Sequence, residues 1–229
     1  MRRALRAVST VLIVAGVLMI ADAGITLAWQ EPVSALLARI EQNKLSGQLD
    51  RLEQRGPTPV QQRVLRALAS QRRRIEFLAR EARRTAQAGD PIGRIAIPAI
   101  GANFVVVQGT DTASLRKGPG HYPSTTFPGL PGTVAIAGHR TTYLAPFRHV
   151  DDLEHGDRIV LTMPYGRFAY RVQRTQIVDP DALWVTRDVG YQRLVLSACH
   201  PLYSAAQRII VFARLERVVA RGAAVGRRP

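Results

Sequence analysis

From Ile92 onward the apolar residues come in short runs, each stopped by glycine or proline, and that punctuation constrains the fold more than anything else in the chain. Ile95, Ile97 and Ile100 lie around Pro98, and Val105-Val106-Val107 leads into the turn Gly109-Thr110-Asp111. A loop region rich in glycine and proline, Gly118 to Gly132, precedes the buried-strand pattern Thr133 to Ala137. Asp157 to Thr162 and Phe168 to Val172 flank Pro164-Tyr165-Gly166, a hairpin signal, and the runs Arg193 to Ser197 and Ile209 to Leu215 follow. About eight short strands with little helix predict a mainly β domain closed into a barrel.

The chain upstream has a different texture. Arg2, Arg3 and Arg6 precede the uncharged stretch Ala7 to Ala21; Asp22 interrupts it, and apolar character resumes to Trp29. Val8 to Trp29 is roughly 22 residues, about 33 Å as a helix, enough to span a bilayer. The leading arginines place the N-terminus in the cytoplasm, and Trp29 falls at the outer interface. Ala21-Asp22-Ala23 also fits a cleavage site, so a signal peptide is the rival reading. Both readings put residues 30–229 outside the membrane.

Residues 30–90 read as an α-helical stalk. Val33, Leu36, Leu37, Ile40, Leu45, Leu49 and Leu52 recur at near-helical spacing, and Gly56-Pro57-Thr58-Pro59 breaks the pattern. Thr58 as N-cap with Pro59 at the first helical position starts a second helix. Its arginine clusters, Arg72-Arg73-Arg74 and Arg83-Arg84, read as a solvated face. Two such helices either hold the next domain off the membrane or pack back onto it. The organisation expected is therefore an anchor at 1–29, a stalk at 30–90, a catalytic barrel at 91–217 and a basic tail at 218–229. The net charge of +15 is spread along the chain. That favours anionic surfaces over sequence-specific nucleic-acid binding, and an Arg-rich genome accounts for it equally well.

Cys199 is the only cysteine, so no internal disulfide is available. It ends the run Leu194-Val195-Leu196-Ser197-Ala198-Cys199; His139 ends Thr133 to Gly138, and Arg208 opens Arg208 to Phe212. A thiolate attacks a carbonyl, an imidazole moves the proton, and a guanidinium that never deprotonates can face an oxyanion. No Gly-rich phosphate loop, C-x-x-C or H-E-x-x-H is present, and no calcium site is evident, so no metal or cofactor is assigned.

Ala137-Gly138-His139-Arg140, Leu196-Ser197-Ala198-Cys199 and Arg208 resemble the His, Cys and Arg signatures of sortases over about residues 90–217. Gly118-Pro119-Gly120-His121-Tyr122-Pro123 and Cys199-His200-Pro201 resemble most the class E sortases of high-GC Gram-positive bacteria. The resemblance implies an eight-stranded sortase-type β-barrel, tethered to the membrane by an N-terminal transmembrane helix. It implies a cysteine transpeptidase acting on surface proteins with a Leu-Pro-x-Thr-Gly or Leu-Ala-x-Thr-Gly sorting signal. Similar enzymes cut between Thr and Gly through a thioester, then pass the protein to a cell-wall precursor amine or a pilin lysine.

The resemblance makes Cys199, His139 and Arg208 the catalytic residues, with Tyr122 bearing on specificity. His121, in the same loop, is read as a substrate-wall residue. Val195 and Ala198 stand where the family carries threonines, so Ala198 lies where a hydroxyl would otherwise meet substrate. Arg140 is expected on the opposite strand face from His139 and receives no role; His149, His155 and His200 are read as structural. A hydrolytic endopeptidase using the same residues, or an inactive wall-binding scaffold, are the other readings.

Overall fold

The structure, a computed structural model, describes residues 2–28 and 32–226, apart from the side chains of 2–5, 22–23, 25–28 and 32–33. Among them eight strands close into a barrel: β1 (Pro91–Ile97), β2 (Ala102–Gln108), β3 (Gly120–His121), β4 (Thr133–Ala137), β5 (Arg158–Met163), β6 (Gly166–Val178), β7 (Arg193–His200) and β8 (Gln207–Ala220). Their order around the barrel is β1-β2-β3-β4-β7-β8-β6-β5. β2–β3 and β4–β7 run parallel, and the remaining neighbours are antiparallel.

Strand alternation sorts the side chains into two layers. Val134 and Ile136 of β4, Leu194, Leu196 and Ala198 of β7, and Ile209, Val211 and Ala213 of β8 join Phe168 and Tyr170 in the main core. Ala135, Val195, Ile210 and Phe212 point the other way, into a second cluster with Val185 from the segment between β6 and β7. β7 is thus buried on both faces.

Two strands run well past their apolar sequence signal. β6 and β8 pair from Gly166↔Ala220 to Val178↔Arg208. The positions expected to begin a basic tail instead finish β8, and Ala224, in the 3-10 turn after it, is fully buried.

α1 (Arg2–Ala28) exposes Val8, Val11, Leu12, Ile13, Val17, Leu18, Met19 and Ile20. Among the described residues no helix is long and apolar enough to cross a membrane. The expectation for Trp29 falls outside the described residues.

Among the described residues, 32–90 hold three helices rather than two: α2 (Pro32–Arg55), α3 (Pro59–Ala67) and α4 (Gln71–Thr85). Thr58 and Gln61 make a reciprocal capping box at the start of α3. The run continues only to Ala67, because Ser70 begins a new helix by accepting from the Arg73 N–H. Arg74, expected in solvent, donates instead to the carbonyls of Leu65 and Leu68 at the end of α3.

These helices lie on the barrel. Leu45 and Leu49 of α2 pack with Val105 and Val107 of β2, and burying a leucine in this way contributes about 1.5–3 kcal/mol. Ile75 and Ala79 of α4 enter the main core. Gln42 of α2 faces β2, accepting from the Val105 N–H at 2.7 Å and donating to the Val105 and Lys117 carbonyls at 3.1 and 2.7 Å. Lys117 closes the short helix α5 (Thr112–Lys117).

Candidate active site

Two strand registers set Cys199 opposite Arg208 and bring the end of β4 alongside. β4 pairs Ala135↔Val195 and Ala137↔Ser197 with β7, and β8 pairs Phe212↔Val195, Ile210↔Ser197 and Arg208↔Cys199 with the same strand. Two residues beyond Ala137, with the same parity, comes His139. The Gly138 N–H still donates to the Ser197 carbonyl at 3.0 Å, so the β4–β7 ladder holds to the residue before it. Cys199 and Arg208 are thus the last pair on a face whose earlier rows are Ala135–Val195–Phe212 and Ala137–Ser197–Ile210, and His139 follows β4 one residue past the last β4–β7 bond. All three are half-buried, whereas the rows before them are buried.

Local sequence shapes each member. A Cβ on Gly138 would lie 2.5 Å from Phe147 Cδ2, so only glycine admits the Phe147 ring beside the histidine. The Phe147 N–H donates to the His139 carbonyl at 3.0 Å, fixing the backbone there. Burial pushes the pKa of His139 below its ordinary value, which favours the neutral, proton-accepting imidazole. The Tyr143 ring lies 5.2 Å from the His139 ring, centroid to centroid. Arg208 Nη1 donates to the carbonyls of Ala205 and Gln207, each at 2.9 Å. Neither bond uses Nη2, so a charged donor is fixed opposite Cys199 with capacity to spare.

The sequence-predicted substrate residues do not all reach this face. Tyr122 does: it is half-buried and packs against the outer cluster, and its N–H donates to the Ala135 carbonyl at 2.9 Å. Ala198 does not. By strand alternation its methyl enters the main core, 3 % exposed, so a hydroxyl there would point away from the face that carries Cys199.

His121 lies in the barrel wall rather than on the groove surface, 1 % exposed. Its ring nitrogens are 2.9 Å from Gln108 Oε1 and 2.9 Å from the Thr126 carbonyl, and the ring meets Phe127 edge-on. Desolvation lowers its pKa from 6.5 to about 4, against the opposing pull of the Thr126 bond. The folded state therefore resists a proton that the unfolded chain accepts. Its contribution is complete above pH 6.5 and is lost as pH falls toward about 4. The loss is about 3 kcal/mol at roughly 1.4 kcal/mol per pH unit. Urea unfolding at pH 7 and pH 4 should show it, and His121→Gln should remove that part of the pH dependence. An equal fall in both proteins would place its origin elsewhere.

The sortase-domain family model matches residues 95–216, more than half of the chain. The chain belongs to the sortase family. It is 35% identical over 132 residues to Sortase D of Bacillus subtilis, covering 56% of this chain and 65% of that protein. The match thus spans just under two thirds of that relative's length. Among solved structures, sortase E from Streptomyces avermitilis is 33% identical, with a TM-score of 0.55 over 62% of this chain and 97% of that one. A Sortase D5 transpeptidase from Clostridium perfringens is 28% identical, with a TM-score of 0.56 over 62% of this chain and 89% of the other.

Several residues around this sortase site were not singled out from sequence. Arg193, 5 % exposed, lies on the same face of β7 as Cys199 and donates from Nη2 to the Val185 and Arg187 carbonyls, both at 2.8 Å. It pins the β6–β7 segment over the sheet, while Trp184 of that segment stacks near Phe212 and stays 39 % exposed. An arginine in an apolar strand run is the signal that could have marked it, since a buried guanidinium needs carbonyl or carboxylate partners. Tyr143, Leu144 and Ala145 have φ of 51°, 64° and 40°. Three successive non-glycine residues in the left-handed region cost roughly 1–3 kcal/mol each, a signature of over-determined loops beside functional sites. No sequence pattern announces it.

His149 and His155 lie in exposed turns, with His149 Nδ1 3.1 Å from Asp152 Oδ2.

Proposed function

We propose that this sortase is a membrane-anchored cysteine transpeptidase of class E type. Cys199 is the nucleophile, His139 the proton carrier and Arg208 the oxyanion donor. The observation that supports this reading is the Cys199↔Arg208 pair at the open end of an otherwise buried face, with His139 just past the adjoining β4–β7 ladder.

His139 takes the thiol proton as Sγ attacks the Thr carbonyl of a Leu-Ala-x-Thr-Gly or Leu-Pro-x-Thr-Gly signal. Negative charge develops on the carbonyl oxygen, where the fixed guanidinium stabilises it. Collapse breaks the Thr–Gly bond; His139 protonates the departing glycine amine and leaves a thioester on Cys199. An amine from a cell-wall precursor or a pilin lysine attacks the thioester, gives its proton to His139 and restores the thiol. Tyr122 borders the groove and bears on the residue after Leu. The exposed apolar face of α1, behind Arg2, Arg3 and Arg6, supports an anchor that leaves the barrel outside the cell.

The test is a peptide bearing the sorting signal, incubated with the protein and diglycine and read by mass spectrometry. A product joining the Thr carboxyl to diglycine is expected. A free Thr acid that added amine never diverts would make the protein an endopeptidase, and an uncut peptide would leave only a scaffold.

A further inference from the structure

We propose that Arg140 is a positioning residue of this site, its buried guanidinium holding the loop after His139 against the backbone of Cys199. The inference rests on Cys199 being the nucleophile and goes beyond the roles assigned above. β4 has already ended at Ala137, so Arg140 does not sit on a strand face as the sequence suggested. It turns inward and is 3 % exposed. A guanidinium so buried persists only where its donors are met.

Its partners come from two stretches of the chain, Arg148–Asp151 and Cys199–His200. Nε and Nη2 donate to the Arg148 carbonyl at 3.3 and 3.1 Å, and Nη2 lies 2.5 Å from Asp151 Oδ1. Nη1 is 3.5 Å from the Cys199 carbonyl and 3.4 Å from His200 Nδ1. Arginine only donates, so His200 Nδ1 accepts and the His200 proton sits on Nε2. His200 follows Cys199 directly on β7, so strand alternation turns its side chain to the face opposite the thiol. Burial raises the Asp151 pKa, and the Arg140 bond and charge, with a backbone bond, outweigh that and keep it below 3.8.

The position of Arg140 in the chain gives these contacts their meaning. The β4–β7 ladder stops at the Gly138–Ser197 bond, one residue before His139. Beyond it the backbone passes through the left-handed run Tyr143–Ala145, a shape that those residues do not select for themselves. Arg140 bridges both ends of that loop to the residue carrying the thiol. One other side-chain bond, Arg148 Nη2 to Tyr203 Oη at 3.4 Å, reaches toward the β7–β8 connection, and it is exposed. The planar fork serves three directions at once, which a lysine ammonium does not reproduce.

The test measures Arg140→Met, Arg140→Lys and Asp151→Asn beside wild type and His139→Ala. Three readouts are kcat and KM for peptide cleavage, the pH profile of Cys199 alkylation by iodoacetamide, and thermal melting. A misplacement of about 1 Å costs on the order of 10²-fold, so kcat should fall by about that factor in both Arg140 variants with KM little changed. The alkylation profile should move toward that of His139→Ala, and lysine should not rescue it. A folded Arg140→Met protein with the wild-type alkylation profile overturns the proposal, whatever its kcat. If the Arg140 variants do not fold, Asp151→Asn decides: a profile displaced in the same direction supports the proposal, and a wild-type profile overturns it. Alkylation needs no sorting peptide, so this result is separable from failure of the transpeptidase reading.

Discussion

The Cys199→Ala protein should fold as wild type does, bind the sorting peptide, and neither cleave it nor transfer it. Cys199 sits at the end of β7, half-buried, and makes no disulfide, so removing its sulfur leaves the buried rows of the sheet intact. The chemical consequence is complete, because no other thiol exists in the chain to carry the acyl group. Loss of a nucleophile that acts with its base as a unit is worth on the order of 10⁵–10⁶ in kcat. Intact-protein mass spectrometry is the direct measurement: wild type mixed with peptide gains the acyl mass, and the alanine protein does not. Retained turnover in that protein would sink the nucleophile assignment and the thioester with it.

Arg208→Lys should lower kcat by about 10²–10³ while KM changes little, the size expected for loss of one pre-aimed oxyanion donor. The wild-type guanidinium is tethered through Nη1 to two carbonyls at 2.9 Å and keeps its other nitrogens available. A lysine has one nitrogen, and satisfying the Ala205 and Gln207 carbonyls draws it away from the substrate. Arg208→Ala should behave similarly, since charge without aim is of little use. Steady-state kinetics separates the alternatives. A higher KM with unchanged kcat would make Arg208 a substrate-binding group with no share in stabilising the transition state.

Sequence disclosed this site unevenly, for physical reasons. Cys199, His139 and Arg208 stood out as candidates because each is chemically distinctive and each lies at the end of a short apolar run. The facing of Ala198 was obscured by burial on both sides: Leu194 and Val195 are each 0 % exposed, so the apolar run carries no alternation to read. His121 lay in a glycine- and proline-rich stretch that looks like surface loop, yet it belongs to β3, a strand of two residues held between β2 and β4. The full length of β6 was hidden because the apolar signal stops at Val172, and Arg174-Thr175-Gln176 is held as strand by its β8 partner. Arg140 and Arg193 owe their roles to carbonyls six residues or more distant in sequence or across the sheet, which local patterning does not encode. The break at Ser70 was missed because Val64, Leu65, Leu68, Ile75 and Leu78 form one thin apolar stripe across it while the helical backbone stops.

The Gln42 amide has a consequence for how these molecules behave in company. β3 pairs with β2 only at Val107 and Gln108, so at Val105 the strand has a vacant side. There Gln42 engages both the N–H and the carbonyl of Val105, imitating one residue of a missing strand. Vacant strand sides recruit extended chains, including other copies of the same protein. A protein whose proposed substrates are extended tails gains from having this one shut. The seal comes from a helix outside the barrel, so a version trimmed to the barrel alone would expose the gap and become prone to sticking to itself.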